Sequence, residues 1–231
     1  MTVKVGIVIA AAGQGKRMGA RIPKQFIELK GKPVLYHSIC LFKEHPFIQE
    51  IVVVTSKEDM AQTKEIVKDF AYVTVVEGGK ERQESVLCGL KALQNSEFVL
   101  IHDAARPFAT QDLINRLIAR VAETGAVIPA VPVKDTIKVV NEKREVQSTP
   151  PRQSLWAVQT PQAFRLSTIL EAHHWAKEQQ FLGTDDATLL EAKGITVHIM
   201  DGEYSNIKLT TPEDLQVAEK IIEKKGGEKD V

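Results

Sequence analysis

Short runs of β-branched residues alternate along most of the chain with segments of helical periodicity. The first run, Val3-Lys4-Val5-Gly6-Ile7-Val8-Ile9-Ala10, is apolar at nearly every position. It leaves no side for a solvated face, as expected of a strand buried on both faces. Similar runs predict strands over 51–55, 73–76, 98–102 and 126–131. Between them, 34–44, 59–70, 81–93 and 112–123 carry helical spacing. Strand–helix alternation of this kind predicts an α/β fold: a Rossmann-like, mainly parallel sheet with helices on both faces. Such sheets bind ligands beyond the carboxyl ends of their strands. The loop after the first strand, Gly78-Gly79 and Asp103 all follow predicted strands, so three distant segments are expected at one edge.

The alternation breaks between Pro132 and Pro161. Residues 136–140 and 155–159 read as two strands flanking a polar stretch, 141–153, that contains Pro150-Pro151. This is too long for a tight hairpin, and structureless stretches beyond about 12–15 residues are usually functional or disordered. A plain surface flap is one reading and a functional arm the other. The alternation then resumes with helices over 167–179 and 185–192, the second stopped by Gly194, and a strand over 195–200. Thr211-Pro212-Glu213-Asp214 is a strong helix start, with a capping hydroxyl, Pro at the first helical position and acids in the first turn. Gly226-Gly227 ends that helix. With no internal repeat or low-complexity linker, residues 1–231 are expected to form a single domain with 133–160 protruding as a β-arm.

Composition narrows the class. The chain is 43% hydrophobic and 26% charged, enough apolar material for a full core. No apolar run approaches the ~20 residues that span a bilayer. Met1-Thr2-Val3-Lys4 leads straight into a strand without a signal-peptide h-region, so a cytoplasmic location is expected. Cys40 and Cys88 sit in predicted helices without a metal or disulfide pattern and read as packed free thiols. The 30 basic side chains match 30 acidic ones. Zero formal net charge argues against general affinity for nucleic acid or membranes.

Against that balance one stretch stands out. Lys16, Arg17, Arg21 and Lys24 fall within nine residues, uninterrupted by any acid, directly after the small-residue loop Ala10-Ala11-Ala12-Gly13-Gln14-Gly15. Small residues let a polyanion approach backbone N–H groups, and the cations can neutralise its phosphates. The Rossmann dinucleotide fingerprint fails, because Met18 occupies the third glycine's position and Gly19 follows one place late. A Walker A loop fails too, having no second glycine with Lys-Ser/Thr behind it. On the glycines alone, a phosphate site and a purely structural turn remain equally open.

Ala11-Ala12-Gly13-x-Gly15-x-Arg17-Met18 followed by Pro23-Lys24-Gln25 resembles the signature loop of nucleotidyltransferases. The resemblance continues through Gly78-Gly79-Lys80-Glu81-Arg82-Gln83-Glu84-Ser85-Val86, His102-Asp103-Ala104-Ala105-Arg106-Pro107, Asp135-Thr136-Ile137-Lys138 and Thr149-Pro150-Pro151-Arg152. It extends through Gln159-Thr160-Pro161-Gln162, Thr184-Asp185-Asp186-Ala187 and Asn206-Ile207-Lys208-Leu209-Thr210. The ordered set is similar to the 2-C-methyl-D-erythritol 4-phosphate cytidylyltransferases of the non-mevalonate isoprenoid pathway, from about Val5 to the final helix. The resemblance implies transfer of CMP from CTP to that polyol phosphate, with release of pyrophosphate, on a nucleotide-diphospho-sugar transferase type of fold.

Nucleotidyl transfer to the α-phosphorus is an electrostatic problem, met mainly by positioning and by preorganised cations. Arg17 offers a planar fork and Lys24 a compact charge on a flexible stem. Lys16 and Arg21 read either as phosphate-edge cations or as plain surface charge. The nucleophile is expected to be a hydroxyl of the polyol. Mg²⁺ or another divalent cation is expected to bridge triphosphate oxygens. Its protein ligands are unknown. Asp103 is the best single acid to face a ribose or a metal, while Asp185 and Asp186 are either rival ligands or complements to a helix dipole. His173-His174 are adjacent on a predicted helix, cannot share one face and read as surface or packing residues. Pyrimidine selection is expected from backbone near Ala11, Ala12 and Gly79, with a hydroxyl from Ser85.

By resemblance, Arg17 and Lys24 stabilise the transition state, and Ala11, Ala12, Gly13, Gly79, Ser85 and Ala104 bind the nucleotide. Asp103 contacts ribose or polyol, Arg152 and Lys208 hold the polyol phosphate, and Thr136 adds a hydroxyl. The family's arm, here 133–160, clasps a second subunit, which implies a homodimer with shared active sites. Lys80 departs from the Asp that relatives often carry, so a base contact there is expected to be backbone-only or absent. Arg106 is expected to buttress the Asp103 loop. Three alternatives are a ribitol 5-phosphate cytidylyltransferase, a non-catalytic nucleotide-binding regulator and a dehydrogenase. The first tends to read Ala-Gly-Gly at positions 11–13, the second has no need of transition-state cations, and the third is weakened by the glycine spacing.

Overall fold

The all-apolar first run does become the middle of a sheet. The structure, a computed structural model, describes residues 3–13 and 23–227. In chain order its elements are β1 (Val5–Ala10), β2 (Glu28–Leu29), β3 (Lys32–Pro33), α1 (Val34–Cys40), β4 (Ile48–Thr55), α2 (Met60–Val67), β5 (Val73–Glu77), α3 (Arg82–Ala92), β6 (Phe98–Asp103) and α4 (Gln111–Thr124). There follow β7 (Ala126–Pro132), β8 (Val139–Val140), β9 (Val146–Ser148), β10 (Trp156–Val158), β11 (Gln162–Arg165), α5 (Leu166–Glu178), α6 (Ala187–Ala192), β12 (His198–Asp201) and α7 (Pro212–Gly227).

β1 pairs in parallel with β4 on one side and β6 on the other, and β4 continues to β5. β7 and β12 pair in parallel. β11 is antiparallel to both β6 and β7, and β10 runs antiparallel to the far end of β7. The alternation predicts the parallel core correctly but not β11. Its four residues, Gln-Ala-Phe-Arg, carry too little pattern, and its strand conformation comes from the two ladders that flank it.

The period of two along β1 separates the core into two layers. Ile7 and Ile9 pack with Leu35, Ile39, Phe42, Leu113 and Leu117 beneath α1 and α4. Val8 points the other way, toward Val86 and Leu90 of α3 and Phe164 and Ile169 near α5. α3 lies unusually close to the sheet because Gly89 has no side chain: a Cβ there would meet Val8 Cγ1 at 2.5 Å and Val54 Cγ2 at 2.7 Å. A third, smaller cluster of Leu29, Val34, Phe108, Leu209 and Ala218 seats α7 against the β2–β3 hairpin. α7 starts as its sequence predicts, with Asp214 Oδ2 accepting the N–H groups of Thr210 (2.7 Å) and Thr211 (2.8 Å).

Boundaries shift modestly. α1 stops at Cys40 rather than 44, α2 spans 60–67, and the predicted strand at 195–200 is observed at His198–Asp201. In the arm, only Val139–Val140 of the predicted 136–140 strand is extended and paired, with β9. β10 returns to the main sheet. Cys40 and Cys88 are free thiols, both partly buried. Among the described residues, no helix is long and apolar enough to cross a membrane.

Candidate active site

The backbone brings the predicted segments together at the carboxyl edge of the parallel strands. Ala11 N–H donates to Val54 O (2.8 Å), Gly78 N–H to Thr55 O (2.8 Å) and Ala104 N–H to Ala10 O (3.1 Å). Each post-strand loop is thus registered by one more rung of the sheet. A cavity of about 690 Å³ opens there. Ala11, Ala12, Gly13 and Lys24 line one side, Gly79 and Ser85 another, and Asp103, Ala104 and Lys208 its floor. Nine of the twelve expected site residues therefore share one cavity. Arg17, with Lys16 and Arg21, lies outside the described residues. Arg152 and Thr136 do not line the cavity. They sit on the exposed arm and bind each other, Arg152 Nη2 donating to Thr136 Oγ1 at 3.0 Å.

The turn after β5 is built by its own helix. Ser85 Oγ accepts the Gly79 N–H at 3.1 Å and lies 3.0 Å from Glu81 O, to which it donates. A side chain at position 79 would collide with Glu84, whose Cβ would be 2.4 Å away, so glycine is required by space alone. Lys80 N–H is taken by Glu84 Oε2 at 2.8 Å.

Charge is concentrated around Asp103. Its Oδ2 lies 2.5 Å from Lys208 Nζ and its Oδ1 3.3 Å from Arg82 Nε. Burial pushes the carboxyl upward, but the Arg82 and Lys208 cations outweigh it and hold the group well below the usual carboxylate range. Arg82 reaches on to Asp186 Oδ2 at 2.7 Å, and Asp186 Oδ1 lies 3.4 Å from His173 Nε2. Desolvation works against both charges of the Arg82–Asp186 pair. Each nevertheless stabilises the other, so the guanidinium is held above its ordinary range and the carboxyl below its own.

A neutral network fixes the loop behind Asp103. Burial lowers His102 to about 4, so the ring is neutral near pH 7. His102 Nε2–H then donates to Arg106 O (2.9 Å), which leaves Nδ1 to accept from the Thr160 hydroxyl (3.2 Å). Thr160 Oγ1 in turn accepts the Asp103 N–H at 3.0 Å. Asn206 donates to Thr160 O (2.9 Å), and Arg106 Nη1 donates to Asn206 O (2.8 Å). Arg106 thus buttresses, as expected, and ties the Asp103 loop to the loop carrying Lys208.

The Asp185–Asp186 pair is occupied internally. Asp185 Oδ1 caps α6 by accepting Thr188 N–H at 3.0 Å, and its Oδ2 accepts from Gln162 at 2.7 Å. Asp186 is buried against Arg82, and neither acid lines the cavity. Asp185 thus takes the helix-start role, while Asp186 makes no cap bond and is held in the ion pair with Arg82. His173 is buried in packing and His174 is exposed. The sequence reading missed Arg82, Thr160 and Asn206 as builders of this site. All three stood inside quoted motifs, and the signal for Arg82 was a second cation three positions after the paired glycines.

Comparison with known proteins agrees with this geometry. The family model described as IspD, 2-C-methyl-D-erythritol 4-phosphate cytidylyltransferase, matches residues 5–224. A protein of that name from Bacillus licheniformis is 50% identical over 220 residues, covering 94% of this chain and 95% of its own. Another, from Halalkalibacterium halodurans, is 49% identical over 226 residues, covering 96% and 99%. The crystal structure of 4-diphosphocytidyl-2C-methyl-D-erythritol synthase from Anaerococcus prevotii superposes with a TM-score of 0.85 at 35% identity, covering 96% of this chain and 97% of that one. With its motifs in order, nine of its twelve expected site residues gathered at one sheet edge and relatives matched over nearly the whole chain, this chain belongs to the 2-C-methyl-D-erythritol 4-phosphate cytidylyltransferase family.

Proposed function

We infer that this protein transfers CMP from CTP to 2-C-methyl-D-erythritol 4-phosphate, giving 4-diphosphocytidyl-2-C-methyl-D-erythritol and pyrophosphate for isoprenoid precursor synthesis. The observation that carries the reading is the cavity itself. Small-residue backbone after β1 and the post-β5 turn line it together with Lys24 and the Asp103–Lys208 pair. The product contains a diphosphate bridge, which corrects the expected nucleophile. The new bond joins a phosphate oxygen of the polyol phosphate, not a hydroxyl, to the α-phosphorus, and the bond to pyrophosphate breaks. A phosphate oxygen already carries negative charge, so no general base is required. What the chain must supply is positive charge and alignment.

Lys24 is assigned to the charge that develops on the α-phosphoryl group, together with Arg17 by family resemblance. Lys208 is assigned to the polyol phosphate and Asp103 to sugar or polyol hydroxyls. Gly79, Ser85 and the backbone of Ala11, Ala12 and Gly13 are assigned to the nucleotide, with Ala104 beneath the ribose. A divalent cation such as Mg²⁺ would neutralise triphosphate oxygens. Among the described residues no three His, Cys, Asp or Glu side chains cluster as a ligand set, which suits an ion held mainly by phosphates and water. Asp103 is the aspartate among the carboxylates that line the cavity, beside Glu58, Glu77 and Glu81.

The arm is assigned to dimerisation. Ile137, Val139, Val140 and Val146 are 41–60% exposed on it, an apolar surface of the kind that marks an interface. Arg152 and Thr136, bonded together outside their own chain's cavity, would complete the partner's site.

The test is pyrophosphate release with Mg²⁺, pairing CTP, UTP, ATP and GTP with methylerythritol phosphate and with ribitol 5-phosphate. Turnover confined largely to CTP with methylerythritol phosphate is expected. Preference for ribitol phosphate, or no release by a folded sample, would overturn the assignment.

A further inference from the structure

Arg82, the first residue of α3, stands between two carboxylates, and their geometry is unequal. It lies 2.7 Å from Asp186 Oδ2 and 3.3 Å from Asp103 Oδ1. Asp186 is 1% exposed and sits at the head of α6, wedged against His173. The guanidinium is therefore anchored from behind by a buried anion that, among the described residues, has no other Lys or Arg within ion-pair distance. Lys208 is placed differently. It reaches Asp103 Oδ2 at 2.5 Å from a loop, on a flexible four-carbon stem; both cations line the cavity with a third of the side chain exposed, so the second anchor on Arg82 is what separates them.

Asp103 thus holds two cations against one negative charge. One of them is clamped and the other can move. When a phosphate enters, Lys208 is the cation able to follow it. If Lys208 were the sole counter-charge, its departure would strand a carboxylate that is only 8% exposed, a costly state.

We propose that Arg82 is a positioning residue: clamped by Asp186, it carries the charge of Asp103 so that Lys208 can pass from Asp103 to the phosphate of the polyol substrate. The proposal rests on the cytidylyltransferase reading. Arg82 itself need not touch either substrate. Its effect is to set how readily Lys208 is released, so it governs the polyol phosphate more than the nucleotide.

Removing Arg82 alone leaves Asp186 buried without its cation and threatens folding, so the informative variant is Arg82→Gln combined with Asp186→Asn. This pair removes both buried charges, retains hydrogen-bonding groups and takes from Asp103 only its fixed cation. Thermal melts establish that the variant is folded at the assay temperature. Steady-state kinetics of the full-length protein should then show the KM for methylerythritol phosphate raised about tenfold, with kcat and the KM for CTP within about threefold of wild type. Arg82→Lys, which keeps a cation between the same carboxylates, should return the polyol KM to within about threefold. A parallel change in all three parameters, an unchanged polyol KM, or no rescue by lysine would overturn the proposal. Wild-type protein without CTP-dependent turnover would instead overturn the activity itself, and the proposal with it.

Discussion

Gly89→Ala sets two well-defined effects against each other. In an ordinary helix interior the change gains about 0.8–1.0 kcal/mol from propensity. Here the new methyl would lie 2.5 Å from Val8 Cγ1 and 2.7 Å from Val54 Cγ2. Both valines are fully buried in the interior strands β1 and β4, where neither can step aside. Carbon–carbon contacts are comfortable at about 3.5–4.0 Å, so α3 must retreat from the sheet by on the order of 1 Å. Overpacking of this kind costs about 1–3 kcal/mol. The net expectation is a loss of about 0–2 kcal/mol, or a Tm lower by up to about 8 °C for a chain of this size. The same retreat would lift Ser85 and the turn at Gly79 away from the cavity, because both hang from the first turns of α3. The KM for CTP should rise about three- to tenfold, with the polyol KM less affected. Differential scanning calorimetry and initial-rate kinetics on the same sample test both parts. A variant as stable as wild type with an unchanged KM for CTP would refute the packing argument and the link between α3 and the base.

Lys24→Met should lower kcat by about 10²–10³, as does loss of a preorganised donor to a developing oxyanion, with a smaller change in CTP affinity. Loss of affinity with turnover intact would show that Lys24 only binds. Arg152→Ala should raise the KM for the polyol phosphate more than that for CTP. Mixing it with Lys24→Met should restore activity in heterodimers through one intact shared site, whereas persistent inactivity of isolated heterodimers would argue that each site comes from one chain. His102 offers a pH test. Its folded value of about 4 lies below the ordinary 6.5, so between those values the unfolded chain binds the extra proton more readily. Its contribution is therefore complete above about pH 6.5 and declines toward pH 4, by up to a few kcal/mol. Urea midpoints at about pH 7, 6 and 5 should fall in the wild type and fall less in His102→Gln; equal slopes would exclude His102 as the source.

What could be read from the sequence follows the physics of each feature. Buried parallel strands are legible because both faces are apolar, and β1 is the clearest case. The residues after β1, β5 and β6 could be placed together because parallel topology sends all three loops to the same edge. β11 was not legible, since two neighbouring ladders rather than its own four residues make it a strand. The Arg82–Asp103–Lys208 cluster was likewise hidden: its members lie 21 and 105 positions apart, and no local period links them. The role of Asp185 and Asp186 was readable as a choice between two, and only the proximity of Thr188 and Arg82 decides it.

The central position of β1 also bears on how the chain is made. β1 leaves the ribosome before both of its neighbours, which come from residues 48–55 and 98–103. At about 5–20 residues per second, the second of them follows on the order of 5–20 s later. Throughout that interval Val-Gly-Ile-Val-Ile-Ala is an uncharged, β-prone segment with at least one open edge, the composition that drives intermolecular pairing. Yield during synthesis should therefore depend on chaperone occupancy of the nascent β1 segment more than on the stability of the finished fold.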